Sequence, residues 1–406
     1  MKNFEDKLSR LAGDYKGSEI RRLFSISMQP GMISLAGGLP DPKSFPATEM
    51  AGIIGRLLEE KGEVLLQYGP SLGTEEGIAA ALDRMSRRGI EAGPDEVIIV
   101  SGSIQAAYLM TRVILDPDDT VLVENPTFIG ALGAFRNAGI ELLGVPMDDQ
   151  GIIPEKLEAV IKEALDMGHR VKLLYTIPNF QNPTGVTLSA IRRRRVLDIA
   201  AEYDILIFED DPYGELWFRG GPERVKPLKA LEGGERVLYA GSFSKIVSPG
   251  IRLGWLAAPA GIIKKCEITK QSLDICSSPL FQAVAAEMIR EGFIDGHVER
   301  LRGLYRSRCE AMLEALDEHM PAGVTWTRPD GGFFVWVTLP VDFDARAMLE
   351  AALDNRVAYV IGSAFYADGS GGNTLRLSFS QESEKDIAEG VRRLAEAMKG
   401  FIDGGG

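Results

Sequence analysis

The chain has 406 residues, 45% hydrophobic and 25% charged, the balance of a globular protein with room for two or three domains. Its net charge of −13 disfavours a general nucleic-acid or anionic-membrane binder. No apolar run is long enough to span a bilayer, and the polar start MKNFEDKLSR does not resemble a secretory signal. Cys266, Cys276 and Cys309 are widely spaced, which fits reduced thiols in the cytoplasm and no zinc or redox spacing. His169, His297 and His319 lie away from every motif below, as surface or structural residues. A Ser-His-Asp triad or a histidine metal site is therefore not expected.

In chain order, Ser18 to Met28 reads as a short helix ended by Pro30-Gly31. Val97–Val100 is an expected strand that runs through Ser101-Gly102-Ser103-Ile104 into a helix ending near Leu115. Free N–H groups at that helix start, with Gly102 allowing close approach, make either an anion cradle or an ordinary capped turn. The strand Thr120–Val123 continues through Glu124-Asn125-Pro126-Thr127-Phe128 into a helix over 127–138. Phe128 can stack on a planar ring or simply fill core. Val171–Thr176 leads into Ile177-Pro178-Asn179-Phe180-Gln181-Asn182-Pro183-Thr184-Gly185, where Asn182 can offer its amide to a ligand or shape a turn. Arg192 to Arg195, in a helix beginning near Ser189, read as its solvated face.

Ile205–Phe208 ends in Glu209-Asp210-Asp211-Pro212-Tyr213. Acids at the end of a buried strand are costly unless a positive group meets them. A protonated pyridine nitrogen would serve, with Tyr213 bonding a phenolic oxygen of the same ring. The alternative is an acid-decorated helix start. Val237–Ala240 leads into Gly241-Ser242-Phe243-Ser244-Lys245, with Arg252 seven residues on and a strand at Leu253–Ala257. Such a lysine can condense with an aldehyde cofactor while Ser242, Ser244 and Arg252 hold its phosphate; taken alone, the motif favours a solvated loop lysine.

From about Gly292 the pattern changes to a long helix (297–320), β-rich segments at 331–337 and 374–379, and a last helix over 384–398. In the second of these segments Leu375, Leu377 and Phe379 point one way, and Arg376 and Ser378 the other. An arginine so placed calls for a carboxylate, a ligand's or the protein's own. The whole predicts an α/β protein: a large domain with a mostly parallel sheet sandwiched by helices, and a smaller α+β domain from the C-terminal part. The expected division is an N-terminal segment over 1–45 packed across the substrate pocket, the large domain over 46–290 and the small one over 291–406. Ligands of such sheets sit beyond the carboxyl ends of the strands. There the sequence offers a cradle, a ring, an amide, an acid with a phenol, and a lysine with an arginine. A phosphorylated pyridine aldehyde can use them all.

These residues resemble the fold-type I aminotransferases that use pyridoxal 5′-phosphate (PLP), in the class I/II branch of the multisubstrate α-aminoadipate and kynurenine enzymes. The resemblance covers nearly the whole chain. It rests on Ala36-Gly37-Gly38-Leu39-Pro40, Gln67-Tyr68-Gly69-Pro70, Ser101-Gly102-Ser103, Gln181-Asn182-Pro183-Thr184-Gly185, Glu209-Asp210-Asp211-Pro212-Tyr213, Ser242-Phe243-Ser244-Lys245 and Leu375-Arg376-Leu377-Ser378. It implies that Lys245 is the Schiff-base lysine and proton shuttle, and that Asp210 pairs with the pyridinium. Tyr213 and Asn182 would bind the phenolic oxygen and Phe128 the ring face. Gly102, Ser103, Ile104, Ser242, Ser244 and Arg252 would surround the phosphate. Arg376, with Gly38 and Asn182, would bind the substrate, and Arg21 would read a side-chain carboxylate. Tyr68 would reach the neighbouring active site of a homodimer. Where many relatives carry tyrosine, Phe128 keeps the stacking and loses a hydrogen bond.

The implied reaction moves an amino group from an α-amino acid of the α-aminoadipate, glutamate, leucine or aromatic type to a 2-oxo acid such as 2-oxoglutarate, in a ping-pong cycle. Other PLP chemistry, as a lyase or racemase, and a PLP-binding regulatory module without catalysis are the alternatives. The regulatory reading expects a winged-helix segment and a basic surface, and the sequence offers neither.

Overall fold

The computed structural model describes residues 7–8 and 31–403. The expected helix at Ser18–Met28, and Arg21 with it, lies outside the described residues. The strands are β1 (Ile33–Ser34), β2 (Val97–Val100), β3 (Asp119–Asn125), β4 (Glu141–Asp148), β5 (Gly151–Ile152), β6 (Arg170–Thr176) and β7 (Leu206–Asp210). They continue as β8 (Val237–Ser242), β9 (Gly254–Ala257), β10 (Thr325–Trp326), β11 (Phe334–Thr338), β12 (Val357–Ala358), β13 (Val360–Ile361) and β14 (Thr374–Ser378).

The large sheet runs in the order β2-β9-β8-β7-β6-β3-β4-β5. Its middle is parallel from β8 through β7, β6 and β3 to β4. The strand expected at Leu253–Ala257 is β9, which runs antiparallel to both β2 and β8. Alternate residues of the central strands enter two separate cores. Val121, Val123, Leu173, Tyr175 and Phe208 pack on one face; Leu122, Leu174 and Ile207 pack on the other. That division explains why these strands read as unbroken apolar runs: both faces are covered. The first core takes in the helix Ser103–Ile114, and the second the helices Pro154–Asp166 and Ala190–Glu202.

One expectation fails on this second face. Arg193 is not solvated with its neighbours but 1% exposed. Its guanidinium donates to the carbonyls of Leu188, Lys226 and Pro178 and to Asn179 Oδ1, at 2.7–2.9 Å. Four acceptors replace water, so the arginine ties the helix to the loops beyond β6 and β7.

The smaller antiparallel sheet has the order β10-β11-β14-β13. The helix Phe293–His319 packs on Glu384–Asp403, which also contacts Ala345–Asp354. The segment from residue 31 crosses to this part, where β1 pairs in parallel with β12, Ile33 opposite Val357. It then runs on towards the carboxyl ends of the large sheet. No helix among the described residues is long and apolar enough to cross a membrane.

Candidate active site

The ends of β2, β6, β7 and β8 converge with β14 and the crossing segment. The acids at the end of β7 show how the sequence assigns its charges, because successive side chains of a strand face opposite ways. Glu209 accepts from the backbone N–H groups of Leu228 and Lys229, at 2.8 and 2.9 Å. Asp211 accepts from Arg88 at 2.9 Å, Asn179 at 2.9 Å and Tyr239 at 3.2 Å. Asp210, on the opposite side, accepts from the Tyr175 hydroxyl at 2.9 Å through Oδ2. Its Oδ1 is buried without a partner. Burial raises its pKa to about 6, against the pull of the Tyr175 bond and the nearby Lys245. Two of the three acids are thus satisfied by the protein, and the middle one keeps an oxygen for something else.

Lys245 sits in the turn after β8. Its Nζ donates to the Gly38 carbonyl at 3.1 Å and lies 5.7 Å from the centre of the Tyr213 ring and 5.6 Å from that of Phe333. Burial first, then the positive charge of Arg376, lowers the amine to about 8, and Asp210 opposes the shift. Gly38 has no room for a side chain, since a Cβ would fall 2.8 Å from Phe334 Cζ.

Arg376 is 2% exposed on β14, the strand between β11 and β13. Its Nη1 donates to Asn182 Oδ1 at 2.9 Å and its Nη2 to the Ala36 carbonyl at 2.7 Å. The rings of Phe334 and Phe365 lie 4.3 and 5.0 Å from its Cζ. Its Nε has no partner, and among the described residues it makes no ion pair. Burial lowers its pKa to about 10. Among the described residues, the protein's own carboxylate, one of the two partners expected from the sequence, is therefore not there. Asn182 also bonds Tyr213, whose buried phenol is pushed far up by desolvation.

At the start of the helix Ser103–Ile114, Gly102 adopts φ +84°, and a Cβ there would fall 2.8 Å from Arg252 Nη2. The positive φ is what calls for glycine, since the arginine tip can give way. Arg252 is exposed, bonds the Ser101 carbonyl and, among the described residues, makes no ion pair. The N–H groups of Ser103 and Ile104 head the helix, where no preceding turn supplies acceptors. The Ser103 hydroxyl also acts on Asp210, lowering its pKa. Ser242 Oγ accepts from Ser244 N at 3.0 Å and donates to Ser244 Oγ at 2.8 Å. Phe128, half-buried, caps the helix Ile129–Asn137 beside Ile104 and Gly130. Tyr68 stands apart, 73% exposed, near the exposed Val64 and Leu66.

Two site residues escaped the sequence reading. Tyr175 was one apolar position of a buried strand, and Glu124 was one letter of a motif. Glu124, 1% exposed, accepts from Thr176 Oγ1 at 2.6 Å, Ile177 N at 3.1 Å and Gln181 Nε2 at 3.0 Å. Gln181 also donates to the Pro126 carbonyl at 2.7 Å, so one carboxylate ties the loops carrying Phe128 and Asn182. The available signal was an acid in an otherwise apolar strand.

A family model described as aminotransferase class I and II matches residues 35–394. The chain is 44% identical, over 98% of its length and 95% of the relative's, to aromatic-amino-acid aminotransferase 1 of Thermococcus litoralis. It is 41% identical to the 2-aminoadipate transaminase of Thermus thermophilus, over 98% of each chain. The fold superposes on a kynurenine aminotransferase of Pyrococcus horikoshii, solved in complex with PMP, with TM-score 0.94, 44% identity and 98% of each chain covered.

Proposed function

The chain belongs to the class I and II aminotransferases and is a PLP-dependent transaminase; we propose that Arg376, Lys245 and Asp210 divide its work among substrate, proton and cofactor. The observation that carries this division is Arg376, a buried cation with no acid beside it among the described residues. Neutral acceptors and rings hold its position, and an anion from a ligand would balance its charge. An α-carboxylate fits, gripped through parallel N–H bonds.

The residues also fit PLP. Asp210 Oδ1 is a buried acceptor waiting for an N–H, and only a cation or a donor on a ligand supplies one. Asn182 and Tyr213 hold the ring's oxygen and Phe128 packs on its face. The Ser103 and Ile104 N–H groups, Ser242, Ser244 and Arg252 hold the phosphate, beside Gly102. Bound PLP supplies an aldehyde that takes up the amino group and a ring that absorbs the electron pair left when the Cα proton departs. Lys245 Nζ takes that proton as general base. Its lowered pKa gives it a large neutral fraction near pH 8. Arg376 fixes the amino acid by its carboxylate, and Gly38, lacking a side chain, leaves room above it. Donor and acceptor bind Arg376 in turn, so the kinetics are ping-pong.

The amino donor is an aromatic, α-aminoadipate, glutamate or leucine type of amino acid, and the acceptor a 2-oxo acid such as 2-oxoglutarate; the names of the relatives support this range. Arg21 reads a side-chain carboxylate when there is one. The active unit is a homodimer in the cytoplasm, in which Tyr68 completes the neighbouring site. The test is the absorbance spectrum of the cofactor-loaded protein. The band near the visible should bleach on adding a single donor amino acid and return with 2-oxoglutarate. A band that no amino acid of this range bleaches would remove the reading.

A further inference from the structure

Tyr175 on β6 pairs with Phe208 on β7, which sets it diagonal to Asp210, two residues further along. A phenol spans that offset. The hydroxyl donates to Asp210 Oδ2 at 2.9 Å. The ring is fully buried, with Phe135 edge-on at 5.9 Å and Phe208 at 5.7 Å. Rings enclosed in this way hold one rotamer. Burial, followed by the charge of Asp210, pushes the phenol well above its usual range, so it remains a donor. Asp211 next door has three partners and no oxygen to spare, whereas Asp210 is bonded at Oδ2 by Tyr175, with the Ser103 hydroxyl close by, and its Oδ1 is left without a hydrogen bond.

We propose that Tyr175 is the positioning residue for Asp210: by bonding Oδ2 it fixes the carboxylate's rotation, presents Oδ1 to the ring nitrogen of PLP, and keeps the shared proton on that nitrogen. The inference rests on reading Asp210 as the partner of the ring nitrogen. The physics is that of a proton between two bases. A donor bonded to the carboxylate lowers its proton affinity, so the proton stays with the pyridine. Without that bond the buried carboxylate is a stronger base and is free to turn.

The experiment uses the full-length protein stripped of cofactor and reloaded with PLP labelled with 15N in the ring. Two quantities are read, the PLP dissociation constant and the 15N chemical shift, for wild type, Tyr175→Phe, Asp210→Asn and the double variant. Tyr175→Phe should weaken PLP by about 10- to 100-fold, the loss of one hydrogen bond to a charged group. The 15N resonance should move towards that of unprotonated pyridine. In the Asp210→Asn background the same change should cost less than about 3-fold, because the two residues act as one unit. Equal losses in both backgrounds would show a packing role for the ring and overturn the proposal. So would an unchanged affinity and resonance in Tyr175→Phe. If Asp210→Asn alone leaves both readouts at wild-type values, the reading of Asp210 falls first and the proposal falls with it. Should Tyr175→Phe fold poorly, 4-fluorophenylalanine at position 175 fills the same volume without a donor, and the same outcomes apply.

Discussion

Lys245 and Arg376 are two cations buried in one site; burial lowers both, and the charge of Arg376 lowers Lys245 further. The effect on Lys245 has a sign that can be tested. Its pKa falls from an ordinary 10.5 to about 8, so the neutral amine needed to attack an aldehyde gains population as pH rises towards and past 8. The rate of PLP uptake by the stripped protein should therefore climb with pH and level off above about 8. Stopped-flow absorbance across pH 6 to 10 checks this; a flat profile would mean another step limits loading. Arg376 makes a different demand. Lysine at this position keeps the charge but has no planar fork. Arg376→Lys should raise KM for amino acids by roughly 10- to 100-fold, equivalent to about 1.5–3 kcal/mol for one charged hydrogen bond. Steady-state kinetics with two donors of different side chain should show the same rise for both, because the α-carboxylate is common to them.

At the scale of elements, the ends of the parallel strands were legible because each places a loop of distinctive residues after an apolar run. Asp210, Lys245 and the Gly102 turn could be found that way. The roles of Glu209 and Asp211 could not, because their partners, Leu228 N and Arg88, lie far away in the chain and carry no local pattern. Arg193 was misread for the same reason: four acceptors from two loops are invisible in a run of arginines. Glu124 shows how a buried acid between loops affects stability. Desolvation raises it from 4.5 to about 7, despite its three hydrogen-bond donors. Between those values the folded chain binds a proton that the unfolded chain has lost. The stability contributed by Glu124 is thus full below about 4.5 and declines as pH rises through 7. Glu124→Gln does not titrate, and its amide oxygen can accept from Ile177 and Gln181 while its NH2 faces Thr176. Relative to wild type, the variant should gain on the order of 1–3 kcal/mol on going from pH 5 to pH 8. Urea unfolding of the cofactor-free proteins measures this, and parallel pH curves would show that Glu124 does not titrate in that window.

For the whole molecule, the α/β architecture with its smaller antiparallel companion followed from the order of predicted elements, whereas the antiparallel course of β9 did not. A four-residue apolar strand reads alike in either direction. The surface carries one feature that a single chain does not explain: Val64, Leu66 and Tyr68 are 69%, 72% and 73% exposed within five residues. Isolated exposed apolar side chains are common, but such a cluster is what the proposed homodimer would cover. If Tyr68 serves the neighbouring site of a homodimer, activity should be recoverable from two damaged chains. Mixed dimers of Lys245→Ala, which alone should lose at least about a thousandfold in turnover, and Tyr68→Ala should contain one site built wholly from intact residues. Coexpression under two tags, with isolation of the mixed species, should give a specific activity well above that of either parent. Activity no higher than the Tyr68→Ala parent would place Tyr68 outside the partner's site.

The alternation of the acids at the end of β7 has a consequence for how the chain tolerates insertions and deletions. A one-residue slip in a strand exchanges its two faces. Here both neighbours of Asp210 are also acids, so a slip in either direction would still bring a carboxylate to the place proposed for meeting the ring nitrogen. The wiring on the other face has no such redundancy. With Pro212 carried into the seat of Asp211, Arg88 would be left buried without its acid. A length change in this strand should therefore leave cofactor capture largely intact and cost the fold instead, so that the triplet behaves as an error-tolerant frame around its central letter. Thermal unfolding and PLP binding of a single-residue deletion in Leu206–Phe208 would separate the two, and lost binding at unchanged melting temperature would show that the frame is not tolerant.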